Sequence, residues 1–107
     1  MPNPFNVGST WLIKRIGGAD QSIKIVTTNK TTGEFTAKYV NIPDVSTFSG
    51  DFQEQDAEVI SLKQRNTATG YFAFHIGIRL HDPHQPYKGH YCDTHQNNGG
   101  FSLSQIT

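Results

Sequence analysis

The chain has 107 residues and carries nine basic and nine acidic side chains, so its formal charge is zero. Without a basic stripe it lacks the electrostatic footprint of a nucleic-acid binder, and no apolar run approaches the roughly 20 residues of a membrane-spanning helix, so neither partner is expected. The length suits one domain, residues 1–107, and a single cysteine, Cys92, excludes an internal disulfide framework.

A cytoplasmic location is the simplest expectation, with secretion by a non-classical route left open. The N-terminus, MPNPFNVGS, has neither the cationic region nor the apolar run of a signal peptide. A neutral surface also favours self-association, so a homo-oligomer fits the composition.

Residues 1–8, with two prolines and two asparagines, read as an N-terminal arm. Residues 9–16 (STWLIKRI) alternate and predict a first strand, closed by the turn Gly17-Gly18. Residues 22–28 (SIKIVTT) and 34–40 (EFTAKYV) are alternating strands joined by the hairpin-length loop NKTTG. The second of them sets Phe35, Ala37 and Tyr39 on one face.

After the turn NIPD, residues 45–53 alternate Phe48, Gly50 and Phe52, and residues 58–65 set Ile60 and Leu62 together. Asp51, Glu54, Asp56 and Glu58 read as a solvated acidic loop. Residues 71–80 (YFAFHIGIRL) alternate strictly. Their large apolar groups, Phe72, Phe74, Ile76, Ile78 and Leu80, predict the core face. If that face instead pairs subunits, the odd face with His75 lines the lumen.

Residues 81–86 hold two prolines and predict a loop. Residues 87–93 predict a short strand, Asn97 to Gly100 a turn, and residues 100–106 a last strand. Eight short strands with hairpin turns and no helical periodicity predict an all-β, antiparallel up-and-down barrel, which removes the edges an open sheet exposes. A β-sandwich is the alternative.

Trp11, the strand Ser22-Ile23-Lys24-Ile25, the run Gly33-Glu34-Phe35-Thr36-Ala37-Lys38-Tyr39, the strand Phe72 to Ile78 and the run Tyr87-Lys88-Gly89-His90-Tyr91 together resemble the avidin and streptavidin family of calycin-type barrels. The resemblance spans residues 11–106. It implies a barrel holding a small ligand in its lumen, with Tyr39 at the position of the family's ureido-contacting tyrosine. The biotin pocket itself is not matched. Ile13, Ile78 and the segment Ser102 to Ile106 stand where the family has a polar contact and tryptophans, and Trp11 is the only tryptophan.

Residues 81–95 contain four of the five histidines and the only cysteine. Imidazole and thiolate are zinc ligands, so His81, His84, His90 and Cys92 form a candidate metal set, although their spacing matches no zinc signature. His75 and Cys92 could pair as base and nucleophile only if the fold brought them together. The leading expectation is a non-enzymatic small-molecule binding protein without a cofactor, its site bordered by Trp11, Tyr39 and His75. The alternative is an oligomeric lectin-like module that holds a glycan through end loops bearing Tyr87 and Asn97. A metalloprotein or enzyme built on the histidine-rich stretch is the third.

Overall fold

The structure, a computed structural model, describes residues 3–107; the first two residues of the predicted arm lie outside the described part. Eight strands follow in chain order: β1 (Thr10–Arg15), β2 (Gln21–Thr28), β3 (Glu34–Tyr39), β4 (Thr47–Glu54), β5 (Glu58–Asn66), β6 (Tyr71–Arg79), β7 (Tyr87–Asp93) and β8 (Asn98–Gln105). Each pairs antiparallel with the next, and β8 returns to β1 through the register Trp11↔Gln105 to Arg15↔Phe101. The sheet therefore closes as an up-and-down barrel and is not split into a sandwich. No helix occurs among the described residues, so none is long and apolar enough to cross a membrane.

The core follows the period-2 rule of a pleated strand. Trp11 and Ile13, Ile23 and Ile25, Phe35 and Ala37, Phe48 and Phe52, Ile60 and Leu62, and Phe101 and Leu103 all point inward and are buried. Glycine appears where rings need space. Gly50 faces the Phe35 ring, and Gly77 lies beneath Phe101.

The strand at residues 71–79 exists as expected, but its facing is the reverse of the expected one. Ala73, His75, Gly77 and Arg79 are buried, whereas Ile76, Ile78 and Leu80 are 49%, 53% and 73% exposed. Phe72 and Phe74 are half-buried on the same outer face, with the Arg65 guanidinium 5.3 Å above the Phe72 ring. The reason is volume, because an eight-stranded barrel has room for little more than its own side chains. The small odd-numbered residues of β6 leave that room to rings from β7 and β8. His75 lies 5.6 Å from Tyr91, stacked, and 5.0 Å from Phe101, edge-on. The four large even-numbered side chains of β6, Phe72, Phe74, Ile76 and Ile78, would overfill the same space if they pointed inside.

One end of the barrel is sealed. Residues 3–8 fold under it and insert Phe5, which is fully buried and stacks 4.4 Å from Trp11 and 4.2 Å from Phe35. Lys30 Nζ donates to Asn3 O at 2.5 Å and to Asn6 Oδ1 at 2.6 Å, tying the arm to the β2–β3 turn. Beside the rings, Arg79 and Glu58 form a two-pronged ion pair at 3.0 and 3.1 Å, and Tyr87 donates its hydroxyl to Glu58 Oε1 at 2.8 Å. Glu58 is thus an interior residue on β5, not part of a solvated acidic loop. Its partner cation and the Tyr87 hydroxyl supply the bonds that a buried carboxylate requires.

Candidate functional site

In a meander, alternate turns share an end. The turns after β1, β3, β5 and β7 therefore surround the end opposite Phe5. There the inward-pointing residues change from apolar to polar. Arg15 follows Trp11 and Ile13 on β1, Gln64 follows Ile60 and Leu62 on β5, Tyr39 follows Phe35 and Ala37 on β3, and Gln21 opens β2. Two adjoining hollows of about 240 and 310 Å³ open at this end, and both are lined by Arg15, Gln21 and Tyr71. The first continues to Tyr91, Asp93 and Asn97, the second to Tyr39, Gln64, Asn66 and His95.

A hydrogen-bonded network fixes the floor. Arg15 Nε donates to His75 Nε2 at 3.0 Å, Arg15 Nη2 to Gln64 Oε1 at 2.7 Å, and Arg15 Nη1 to Gln21 Oε1 at 3.4 Å. Tyr39 gives its hydroxyl hydrogen to Gln21 Oε1 at 2.6 Å and accepts one from Gln64 Nε2 at 2.8 Å. His75 Nδ1 lies 2.9 Å from the Leu62 carbonyl oxygen. Because a guanidinium only donates and a carbonyl only accepts, the imidazole carries its hydrogen on Nδ1 and presents a lone pair on Nε2. Burial, reinforced by the positive charge of Arg15, lowers the His75 pKa to about 4, so the ring is neutral at pH 7.

The rim is set by Asp93. Tyr71 donates to its Oδ2 at 2.8 Å, Asn97 Nδ2 to the same oxygen at 3.1 Å, and the amides of His95 and Asn97 to Oδ1 at 2.9 Å each. Burial alone would raise the Asp93 pKa, but these donors outweigh it and hold the carboxyl below the usual range. Burial and the hydrogen bond to Asp93 push the Tyr71 hydroxyl well above the ordinary phenol range, so it stays protonated.

The expected site residues divide between the two ends. Tyr39, His75 and Asn97 belong to the open end. Trp11 is fully buried, its indole Nε1 donating to Ser9 Oγ at 3.1 Å, and Tyr87 is fully buried in the sealed end with the Arg79 guanidinium 4.3 Å above its ring. Neither can touch a ligand at the mouth, and the expected exposed position of Tyr87 is corrected.

The expected metal set does not assemble. His81 and His84 are in the turn at the sealed end, with His81 Nδ1 3.2 Å from Glu54, while His90 and Cys92 are exposed on the outer face of β7. Among the described residues no group of three or more His, Cys, Asp or Glu side chains is positioned to hold a metal ion. His75 pairs in register with Tyr91 and Cys92 with Phe74, so base and thiol lie on opposite faces of the sheet.

Arg15, Gln21 and Gln64 were not singled out by the sequence reading. Their signal is positional: each is a polar residue near a strand end, in phase with the inward apolar set. No family model matches the chain, and comparison with curated proteins and with solved structures gives no match.

Proposed function

We propose that this barrel is a non-enzymatic small-molecule binding protein whose ligand enters at the Arg15–Tyr71 mouth. The observation that carries the reading is the contrast between the two ends. One is filled by the Phe5 stack and the Glu58–Arg79 pair, and the other presents oriented polar groups around a concavity. A concave site with a few convergent polar groups on a rigid scaffold is how small molecules are held. Binding is favoured over catalysis because both nitrogens of His75 are already committed and Cys92 lies outside the barrel.

An avidin-like arrangement gains support from the closed eight-stranded meander and from Tyr39, which borders the mouth on the inner face of β3. Biotin is disfavoured as the ligand, since Trp11 is sealed beneath Phe5 and offers no aromatic wall. A glycan-binding reading is the weaker one, because Tyr87 offers no exposed ring on which a sugar could stack.

Amide-resolved NMR titration with a library of small organic fragments tests the proposal. Binders are expected to perturb signals in residues 15–21, 39–47, 66–71 and 93–98. Binders that perturb only the outer faces, or a library with no binders at the mouth, would overturn it.

A further inference from the structure

The mouth holds a cation that makes no ion pair among the described residues, although Asp93 and Asp44 line the same hollows. Arg15 is half-buried, and among the described residues no carboxylate stands within ion-pair distance of it. Its acceptors are an imidazole nitrogen and two amide oxygens, all neutral. A guanidinium has five N–H donors. One from each nitrogen is taken by His75, Gln21 and Gln64, which leaves one on Nη1 and one on Nη2 without a protein acceptor among the described residues. Both terminal nitrogens belong to a side chain that lines both hollows.

The nearest acidic groups are turned to other work. Asp93 spends its oxygens on Tyr71, Asn97 and His95, and Asp44 Oδ1 accepts from the Ser46 amide at 2.7 Å and from Asn66 Nδ2 at 3.1 Å. Removing a charge from water without a partner is unfavourable, and a charge-assisted hydrogen bond to an incoming anion reverses that cost. The three neutral contacts also hold the guanidinium in place, so little side-chain entropy remains to be lost on binding.

We propose that Arg15 is the anchor for a ligand carboxylate, so that the protein's ligand is a small monoanionic organic acid. The inference rests on the small-molecule reading above and adds the chemical class. A planar carboxylate matches the guanidinium fork. A doubly charged phosphate fits less well, because the one cation at the mouth, Arg15, matches a single negative charge and would leave the second unpaired beside Asp44 and Asp93. The hollows suit a small acid, whose remaining atoms would lie against the Tyr39, Tyr71 and Tyr91 rings.

The test uses matched probes that differ only in charge, benzoate against benzamide and butyrate against butyramide, with inorganic phosphate as a third class. Binding to the folded chain is followed by NMR shifts of the Arg15 side chain and of the mouth amides. Wild type is expected to bind each acid at least tenfold more tightly than its amide. The preference should disappear in Arg15→Gln and be only partly kept in Arg15→Lys, which retains the charge but not the fork. Melting temperatures of both variants report whether the fold survives; if Arg15→Gln unfolds, the acid-to-amide ratio in wild type and in Arg15→Lys decides the matter. Equal binding of acid and amide at the mouth would overturn the carboxylate assignment and leave the small-molecule reading standing. Phosphate binding more tightly than either acid would overturn the assignment of class. Absence of any probe from the mouth, together with no fragment binder there, would overturn both.

Discussion

At the scale of single residues, the open end turns on His75. Its neutral ring gives Arg15 a lone pair, an arrangement that protonation destroys by setting an N–H against a guanidinium. The folded-state pKa of about 4 lies below the ordinary value of 6.5. The unfolded chain therefore binds the proton first, and stability falls as pH drops from about 6.5 to about 4 and levels off below. The loss over that window is on the order of 3 kcal/mol for this one ring. Thermal or urea unfolding from pH 7 to pH 4 should show it, and His75→Gln should flatten that part of the profile. An unchanged profile in the variant would assign the acid sensitivity elsewhere. The Glu58–Arg79 pair is the corresponding feature at the sealed end, where each charge is tolerable only because the other is present.

At the scale of strands, β6 and β7 depend on a glycine contact. Gly77 and Gly89 are opposite one another in the register, and a Cβ on Gly89 would fall on the Ile76 carbonyl of the neighbouring strand. That backbone cannot yield without parting the ladder. A Cβ on Gly100 would meet the Ile16 Cδ1 at 3.2 Å, the end of an exposed, movable side chain. Gly89→Ala is therefore expected to destabilise by about 2 kcal/mol or more, whereas Gly100→Ala should cost well under 1 kcal/mol. Denaturant midpoints check both, and equal effects would refute the contact.

The alternation of β6 was plain in the sequence, as were the strand count and most turns, because period-2 patterning and turn residues are local properties. The turn expected at Asn97 to Gly100 instead lies at residues 94–96, and Asn98, Gly99 and Gly100 open β8. The facing of β6 was not plain. Which side of an alternating strand enters a closed barrel depends on how much volume the other strands have already filled, and Phe5, Tyr91 and Phe101 filled it. The site was legible in the same partial way. Tyr39 and His75 could be named from pattern and resemblance, but Arg15 and Gln64 become a pair only when β1 and β5 are brought together across the lumen.

At the scale of the whole molecule, polarity is distributed against the usual expectation. Ions lie inside at the sealed end, and an apolar stripe of Phe72, Phe74, Ile76, Ile78 and Leu80, extended by Val59 on β5, lies outside. Contiguous exposed apolar surface of this kind is uncommon on soluble proteins. The native protein should bind an environment-sensitive apolar dye, and the double change Ile76→Thr, Ile78→Thr should reduce the signal at least twofold while the melting temperature moves by only a few degrees, since threonine suits an outward strand position. Undiminished dye binding would show that the stripe is not what the dye detects.

Barrel closure brings the two outermost strands side by side. Thr10 N donates to Thr107 O at 3.2 Å, and Ile106 N donates to Thr10 O at 2.8 Å. Because β1 leaves the Phe5 end and β8 returns to it, residue 107 and Phe5 sit at the pole farthest from Arg15. A tether attached through residue 107 would thus dictate orientation: on a bead or an electrode every molecule would stand with its cavity turned to the liquid, and a dye or reporter domain carried there would leave the entrance unobstructed.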